Sequence, residues 1–408
     1  MSTTTSPPLA LPPTAPAAAR AAFRLLERLQ VGTLDVQLFD GTQHQFGSGR
    51  SDEPRAALRL LDWRVCGATL ARGDTGFAES FIAGHWTSPD LAALLRLFIA
   101  NRDAMEAMFY GRWWGGLWQR LRHALLNRNS RRGSRRNIHA HYDIGNPFYR
   151  LWLDETMNYS SAWFDGDPSR PLPLAQHAKV RRALGACGVQ PGQRLLEIGC
   201  GWGALAECAG SEFGARVVGV TLSDEQLQYA RERLQRRGLA ERCELRLQDY
   251  RDINDGPFDA IASIEMFEAV GREYWGGYFA MLKRQLAAHG RACIQTITIR
   301  DDLFERYARS TDFIQQYIFP GGMLPSVERF RAEAERAGLA VVDELRFGSD
   351  YAETLRRWRT RFLAQDAAVR RLGFDTRFMR TWEFYLAYCE AAFDGGNTDV
   401  VQFTLRHG

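Results

Sequence analysis

The sequence predicts an α/β fold, in which a mostly parallel sheet is wrapped by helices and a smaller α+β domain precedes it. From about residue 171, strand-like apolar runs alternate with helical runs, which is the pattern of βαβ units. A glycine-rich turn, LLEIGCGWG at 195–203, joins one such strand to the next helix. A chain of 408 residues is long enough for two domains.

The N-terminal part predicts three segments before the larger domain. Residues 1–20 are rich in Pro, Thr and Ala, so we expect a disordered tail. Residues 21–110 predict an α+β lipid-interaction domain, with a hairpin at Asp40-Gly41 and a helix opened by Ser88 and Pro89. Residues 111–137 predict a basic aromatic linker, and the larger domain covers 138–408.

The larger domain predicts its elements in a regular order. The predicted helices are 175–187, 204–214 and 223–238, and the predicted strands are 194–199, 216–222, 243–250, 258–264 and 291–298. Ser223 and Gln226 have the spacing of a capping box, and Gly238 lies past the end of that helix.

Composition excludes several classes of protein. No apolar run approaches the roughly 18 residues that span a bilayer, and the N-terminus lacks the basic region of a signal peptide. Seven cysteines without a CxxC pair indicate reduced thiols and a cytoplasmic location. The residues predict no metal site.

Charge is concentrated in one segment, although the net charge is only +4. Residues 107–142 contain eight arginines and no Asp or Glu, interleaved with tryptophans, Phe109 and Tyr110. Arginine with interfacial aromatics suits an anionic lipid surface. A solvated linker and a nucleic-acid-binding segment are the alternatives.

The glycines at 199, 201 and 203 allow the backbone to turn tightly and approach a ligand. Their G-x-G-x-G spacing differs from the dinucleotide fingerprint and from the P-loop, and no lysine follows to hold phosphates. The loop therefore suits a ligand without a pyrophosphate. A turn that binds no ligand is the alternative.

Several motifs in order resemble the cyclopropane-fatty-acyl-phospholipid synthase family, which includes the mycolic acid cyclopropane synthases. Besides the glycine loop, they are HYDIGNPFYRLWLDETMNYSSAWF (141–164), VVGVTLSDEQLQYARER (217–233), SIEMFEAVG (263–271), FIQQYIFPGGMLPS (313–326) and YAETLRRWRTRF (351–362). GDTGFAESFIAGHW (73–86) resembles the N-terminal domain of the longer, phospholipid-acting members. The resemblance implies a class I, Rossmann-like methyltransferase domain at 138–408 with a seven-stranded, mostly parallel sheet.

The resemblance also implies S-adenosylmethionine as the cofactor. Gly199 and Gly201 would contact its methionine end, and Tyr159 and Ser160 would close over it. The remaining implied contacts are Thr221, Leu222 and Gln226 at the ribose, and Asp249 and Tyr250 at the adenine. The alternative for Gln226 is a purely structural role in the capping box.

In the family, the methyl group is added to an acyl-chain double bond, and a bound bicarbonate takes a proton from the resulting cation. The bicarbonate ligands map to Ser161, Glu268, Gln295, Ile297 and Tyr351. Packing or capping is the alternative role for Glu268 and Tyr351.

Three positions depart from the family pattern. The family usually has Cys at 161, His at 295 and a small residue, often Gly, at 265, where this chain has Ser, Gln and Glu. A neutral amide at 295 donates to an anion but carries no charge. The carboxylate of Glu265 could crowd the anion or replace it, and a surface or salt-bridged Glu265 is the alternative.

We therefore expect a methyltransferase that forms a cyclopropane on an unsaturated acyl chain of a membrane phospholipid. A methyl-branched or methylene product is the first alternative, because the bicarbonate site is altered. A degenerate lipid-binding partner protein is the second, and a nucleic-acid methyltransferase is weaker, since no base-flipping motif is present. We expect peripheral attachment to the inner face of the membrane and no nucleic-acid partner, and a homodimer stays open.

Overall fold

The structure is a computed structural model that describes residues 11–105 and 144–408. Of these, 11–105 and 375–391 form one compact unit, and 144–374 and 392–408 form the other. The arginine-rich segment predicted to bind lipid lies outside the described residues.

The N-terminal unit is an α+β unit with a four-stranded sheet in the order β2-β1-β3-β4. Its strands are β1 Thr33–Gln37, β2 Gln43–Gly47, β3 Arg55–Leu60 and β4 Trp86–Thr87. Its first three helices are α1 Ala17–Leu26, α2 Arg64–Ile82 and α3 Leu91–Ala100. Strands β1 and β2 form the antiparallel hairpin predicted at Asp40-Gly41.

Two N-terminal expectations need correction. Helix α1 begins at Ala17, inside the segment for which composition predicts a disordered tail, because its apolar face is buried through Ala19, Ala22 and Phe23. Helix α3 is capped by Asp90, whose side chain accepts a hydrogen bond from the Ala93 N–H, instead of being opened at Ser88.

The larger unit contains a seven-stranded sheet in the order β10-β11-β9-β8-β5-β6-β7. Its strands are β5 Arg194–Ile198, β6 Arg216–Thr221, β7 Cys243–Leu247, β8 Phe258–Ile264, β9 Leu286–Ile299, β10 Leu339–Arg346 and β11 Thr398–His407. Strands β9, β8, β5, β6 and β7 pair in parallel, and β11 pairs antiparallel with both β9 and β10. The predicted Rossmann-like fold class is confirmed.

Helices cover this sheet and supply the residues that line its carboxyl-terminal edge. They are α4 Asn146–Tyr149, α5 Leu172–Cys187, α6 Ala204–Ser211, α7 Asp224–Arg236, α8 Trp275–Gln285, α9 Asp301–Tyr307, α10 Phe313–Tyr317, α11 Val327–Arg336, α12 Gly348–Ala364 and α13 Asp366–Arg371. Helix α14, Thr376–Asp394, runs from the N-terminal unit's residues into those of the larger unit. Short 3₁₀ turns follow β7 and β8.

The central strands are buried on both faces, which explains their nearly continuous apolar sequences. One core contains Leu196, Ile261 and Phe267, and another contains Leu195, Ala260 and Cys293. Because the carboxyl ends of parallel strands meet at one edge, the loops after β5, β6, β7 and β8 lie together there.

Two further features concern the helices and the cysteines. Within the described residues, no helix is long and apolar enough to cross a bilayer. All seven cysteines are free thiols, as predicted from their spacing.

Candidate active site

The glycine loop after β5 has a backbone that other residues rarely adopt. Gly199, Gly201 and Gly203 all have positive φ, at 85°, 49° and 81°. A Cβ on Gly203 would lie 3.0 Å from Ala230, whereas a Cβ on Gly201 would meet no described atom within 4 Å. Gly203 is therefore required for packing against helix α7, and Gly201 faces open space where a ligand can approach.

The loop after β6 places Thr221 and Gln226 beside the glycine loop. The Gly199 and Cys200 N–H groups donate to the Val220 carbonyl at 2.9 and 3.0 Å. Ser223 caps helix α7 by accepting from the Gln226 N–H, but the return bond of the predicted capping box is not among the bonds formed. Instead the Ser223 N–H donates to the Thr221 hydroxyl oxygen.

This arrangement directs the Gln226 side chain away from its helix cap. Its Oε1 accepts from the Thr221 hydroxyl at 3.2 Å, and no described residue accepts from its Nε2. Leu222, between them, is half-buried. The amide is therefore available to a ligand at the edge of the sheet, which favours binding over a purely capping role.

Asp249 and Tyr250 follow β7 at the same edge. The Asp249 carboxylate accepts from the backbone N–H and the guanidinium of Arg251, with an Oδ2 to Nη2 distance of 2.5 Å. The Tyr250 ring packs against Tyr278 at 5.4 Å between centroids, and burial raises the pKa of Tyr250 to about 12. Any ligand that hydrogen-bonds Asp249 must share this carboxylate with Arg251.

Tyr159 lies in a cluster of aromatic rings that reaches the glycine loop. Its ring is 5.5 Å from both Tyr149 and Trp152 and 5.6 Å from Trp358. Tyr149 in turn is 5.1 Å from Trp202, which follows Gly201. The predicted cofactor residues Tyr159 and Gly201 are thus connected by packed rings.

Helix α5 holds the segment that carries Tyr159, Ser160 and Ser161. The Lys179 ammonium donates to the Ser160 hydroxyl oxygen at 2.6 Å, and the Gln176 amide donates to the Ser160 carbonyl at 2.9 Å. Lys179 and Gln176 are both fully buried and lie three residues apart, on one face of the helix.

Lys179 is a site residue that the sequence motifs did not predict. Burial lowers its pKa to about 8, while the charges of Glu265, Asp154 and Glu197 act in the opposite direction. A usable signal was present, because Lys179 and Lys283 are the only lysines among 52 basic residues. An isolated lysine in an arginine-rich chain indicates a site where arginine does not fit.

The carboxylate of Glu265 occupies the centre of the site. Its Oε1 accepts from the Ser161 N–H at 2.8 Å and from the Gln295 amide at 2.7 Å, and its Oε2 accepts from the Tyr351 hydroxyl at 2.6 Å. These three donors are ones that the family resemblance assigns to bicarbonate. Glu265 is therefore neither a surface residue nor salt-bridged at the surface.

The backbone at Glu265 confirms that this placement opposes local preference. Its φ is +50°, a left-handed value typical of glycine, and the family usually has a small residue at this position. Such a conformation costs about 1–2 kcal/mol in a non-glycine residue. Hydrogen bonds to a charged group contribute about 1.5–3 kcal/mol each, so three of them offset this strain and part of the cost of burying the carboxylate.

Glu268 lies three residues further along and takes the fourth predicted donor. Its Oε1 accepts from the Ile297 N–H at 2.5 Å, whereas its buried Oε2 has no partner among the described residues. Burial, followed by the charge of Glu265, raises the pKa of Glu268 to about 8.

The predicted residues therefore divide into two neighbouring groups at one edge of the sheet. The glycine loop, with open space at Gly201, lies beside Thr221 and Gln226, and Glu265 and Glu268 accept from the anion-site donors. Among residues 11–105 and 144–408, no group of three or more His, Cys, Asp and Glu side chains is arranged to hold a metal ion.

Comparison with known proteins identifies the family. The family described as mycolic acid cyclopropane synthetase matches residues 129–403. The chain is 39% identical over 402 residues to the tuberculostearic acid methyltransferase UfaA1 of Mycobacterium tuberculosis, covering 96% of this chain and 92% of that protein.

Two further relatives are similar to this chain at 34% and 35% identity. The cyclopropane-fatty-acyl-phospholipid synthase of Escherichia coli K12 is 34% identical over 352 residues, covering 83% of this chain and 85% of that protein. The crystal structure of the mycolic acid cyclopropane synthase CmaA1 complexed with SAH and CTAB has a TM-score of 0.63 and 35% identity. It covers 66% of this chain and 97% of its own.

We predict that Tyr351→Phe raises the pKa of Glu265 further. Burial already raises this pKa, and the Tyr351 hydroxyl is the strongest of the hydrogen bonds that oppose the rise. NMR titration of ¹³C-labelled glutamate carboxyls measures the midpoint, with Glu265→Gln to assign the signal. Tyr229→Phe is the control, because Tyr229, on helix α7, packs against Arg150 and has no hydrogen bond to Glu265. An unchanged midpoint in Tyr351→Phe would show that the hydroxyl does not stabilise the carboxylate.

Proposed function

The chain belongs to the mycolic acid cyclopropane synthetase family of S-adenosylmethionine-dependent methyltransferases, and from that premise we propose that it methylates the double bond of an unsaturated phospholipid acyl chain. We further propose that the carboxylate of Glu265 takes the place of bicarbonate as the base. The observation that supports this most directly is the set of three donors around Glu265.

The residues present fit S-adenosylmethionine. A side chain at Gly201 would enter the open space that the loop leaves for a ligand, and the Gln226 amide has a donor to offer to ribose hydroxyls. The cofactor supplies an electrophilic methyl group on a sulfonium. The chain's contribution is to hold it against the glycine loop and to enclose it with the aromatic cluster around Tyr159.

The reaction requires negative charge close to the acyl chain. Addition of a methyl group to the double bond leaves a carbocation on the neighbouring carbon, and fixed carboxylates stabilise such a charge in a site with little water. Glu268 presents an Oε2 without a hydrogen-bond partner among the described residues. The rings of Tyr159 and Trp358 offer π-faces that also favour a cation.

Glu265 then removes a proton from the added methyl group. The electrons of that C–H bond close the third side of the ring at the cationic carbon, and the proton is held on Glu265. Burial raises the pKa of Glu265 above that of an ordinary glutamate, which makes it a stronger base. This sequence gives the cyclopropane product.

An acyl chain with a methylene (C=CH2) branch is the second candidate product. It forms when a hydride shifts to the first cationic carbon before Glu265 takes the same methyl proton. The altered anion site favours this candidate, as does the similarity to a tuberculostearic acid methyltransferase over 96% of the chain. A saturated methyl branch would require a separate two-electron reduction of that methylene.

We also propose that the enzyme docks on the inner face of the membrane through residues 107–142 and the N-terminal domain, 21–110. The support is the sequence pattern of eight arginines without an acid. In the N-terminal unit, Val31, Phe39 and Leu61 are exposed apolar side chains, which suit contact with lipid.

We predict that Gly201→Val abolishes S-adenosylmethionine binding while the fold is retained. The new side chain would occupy open space, so it blocks the ligand and clashes with no described atom, although the left-handed backbone at Gly201 makes it cost some stability. Calorimetric titration measures binding and thermal unfolding measures the fold. Gly203→Ala is the matched control. The added Cβ would press against Ala230, so this variant should unfold at a lower temperature. Unchanged affinity in Gly201→Val would remove the loop from the cofactor site.

We predict that added bicarbonate does not stimulate the wild-type enzyme. In Glu265→Gly combined with Gln295→His, the family pattern is restored and bicarbonate should become a requirement. Mass spectrometry of fatty-acid methyl esters, with labelled methionine, gives rate and product. Strong stimulation of the wild type, together with an unchanged rate and product in Glu265→Gly, would contradict the role of Glu265.

We predict that the protein co-sediments with anionic vesicles and that salt weakens this binding, because charge is screened within about 10 Å at 0.1 M. Replacing Arg131, Arg132, Arg135 and Arg136 by Gln should abolish it. The control variant removes equal charge from exposed arginines elsewhere: Arg236, Arg237, Arg309 and Arg336. Equal binding to neutral and anionic vesicles would refute docking by this segment.

A further inference from the structure

A series of hydrogen-bonded side chains leads from the surface of the larger unit to Glu265. Arg182 forms an ion pair with Asp343 and donates to Gln402 Oε1 at 3.1 Å. Gln402 Nε2 donates to Gln295 Oε1 at 3.0 Å, and Gln295 Nε2 donates to Glu265 at 2.7 Å. Each amide therefore accepts on the outer side and donates on the inner side.

The direction of this chain is fixed at its outer end. A guanidinium has only donors, so the oxygen of the Gln402 amide must face Arg182. The Lys179 carbonyl, which can only accept, takes a second hydrogen bond from Gln402 Nε2 at 3.2 Å. The Gln402 amide therefore has one orientation that satisfies both neighbours.

Gln402 transmits that orientation to Gln295. Because Gln402 presents its N–H groups inward, Gln295 must turn its oxygen toward Gln402 and its nitrogen toward Glu265. Both amides are fully buried, so water cannot compensate for a reversed one. A reversed Gln295 would place its oxygen against the carboxylate of Glu265, where two acceptors repel.

The register between strands β11, β9 and β8 brings these residues together. Gln402 of β11 lies opposite Gln295 of β9, and Gln295 is aligned with Ile264, the residue before Glu265. Arg182 follows Lys179 by three residues on helix α5, so both extend toward the same region of the sheet.

We propose that Arg182 and Gln402 are positioning residues, which act through the Gln295 amide to hold Glu265 as a hydrogen-bonded carboxylate ready to accept a proton. This inference deepens the proposed function and rests on it, because it assigns the orientation of the base. Neither residue is hydrogen-bonded to the reacting groups, and the hydrogen bonds that connect them to Glu265 run through Gln295.

The positioning role predicts the direction in which the pKa of Glu265 shifts. The groups that face Glu265 are Lys179 from α5, Tyr351 from α12 and Glu268 from the same loop. The Gln295 hydrogen bond favours the charged carboxylate, so its loss raises the pKa of Glu265. The unprotonated base is then lost at a higher pH, and the acid limb of the rate profile moves upward.

The test compares Gln402→Glu with the wild type. A carboxylate at 402 still accepts from Arg182 but has no donor for Gln295, so Gln295 reverses. Because the new charge also raises the pKa of Glu265 directly, Gln402→Met, which lacks the donor and adds no charge, must shift the midpoint in the same direction. The rate of product formation should fall by roughly threefold more at pH 6 than at pH 9. The Glu265 midpoint in a ¹³C NMR titration should rise, while affinity for S-adenosylmethionine stays unchanged.

Arg182 offers a matched pair of variants on one helix. Arg182→Met should shift the profile in the same direction, and Arg182→Lys should restore it, since lysine also only donates. Arg181→Met is the control, because Arg181 pairs with Glu212 at 2.6 Å and has no bond to Gln402. Thermal unfolding identifies any variant that loses its fold, and Gln402→Glu then carries the test.

The outcomes separate this proposal from the proposed function. If Glu265→Gln retains full turnover, Glu265 is not the base and both proposals fail. If Glu265→Gln is inactive but folded Gln402→Glu and Arg182→Met keep the wild-type midpoint and profile, only the positioning role is overturned. A raised midpoint in both variants, with recovery in Arg182→Lys, supports the chain from Arg182 to Glu265.

Discussion

The site depends on one interaction, the carboxylate of Glu265 held by donors from three separate parts of the larger unit. Ser161 comes from the loop before α5, Gln295 from β9 and Tyr351 from α12. Because the three donors converge on one group, any shift of these elements exposes an unpaired charge or donor, which is costly in a buried site. The strained backbone of Glu265 is retained for the same reason.

Around this interaction, burial disfavours charge on several ionisable groups. Among the residues that the structure describes, Lys179 is the only fully buried lysine or arginine, and burial raises the pKa of Glu197 and Glu268 to about 8 each. The sulfonium of a bound cofactor and a cation on the acyl chain would each add positive charge beside them. Positive charge beside these carboxyls favours their ionised form, so the site becomes better suited to a cation as the reaction proceeds.

Local sequence patterns predicted much of this arrangement. The glycine loop and the parallel strands were visible as motifs, whereas the residues at 161, 265 and 295 stood out only as departures from the pattern of the family that the sequence resembles. Lys179 and Gln402 were not found, because their roles arise from burial and from strand register between distant segments. Strands β10 and β11 follow from the family resemblance, whereas the pattern of residues alone did not predict them. Likewise the Asp249–Arg251 pair and the half-formed cap at Ser223 depend on side-chain directions that spacing does not determine.

The central claim is that the side chain of Glu265, and no separate ion, fills the anion site. A high-resolution crystal structure of the wild-type enzyme, grown with S-adenosylhomocysteine and excess bicarbonate, tests it directly. The account predicts continuous density for the Glu265 carboxylate between the Ser161 N–H, the Gln295 amide and the Tyr351 hydroxyl. A planar ion bound to those three donors, with Glu265 turned away from them, would contradict it.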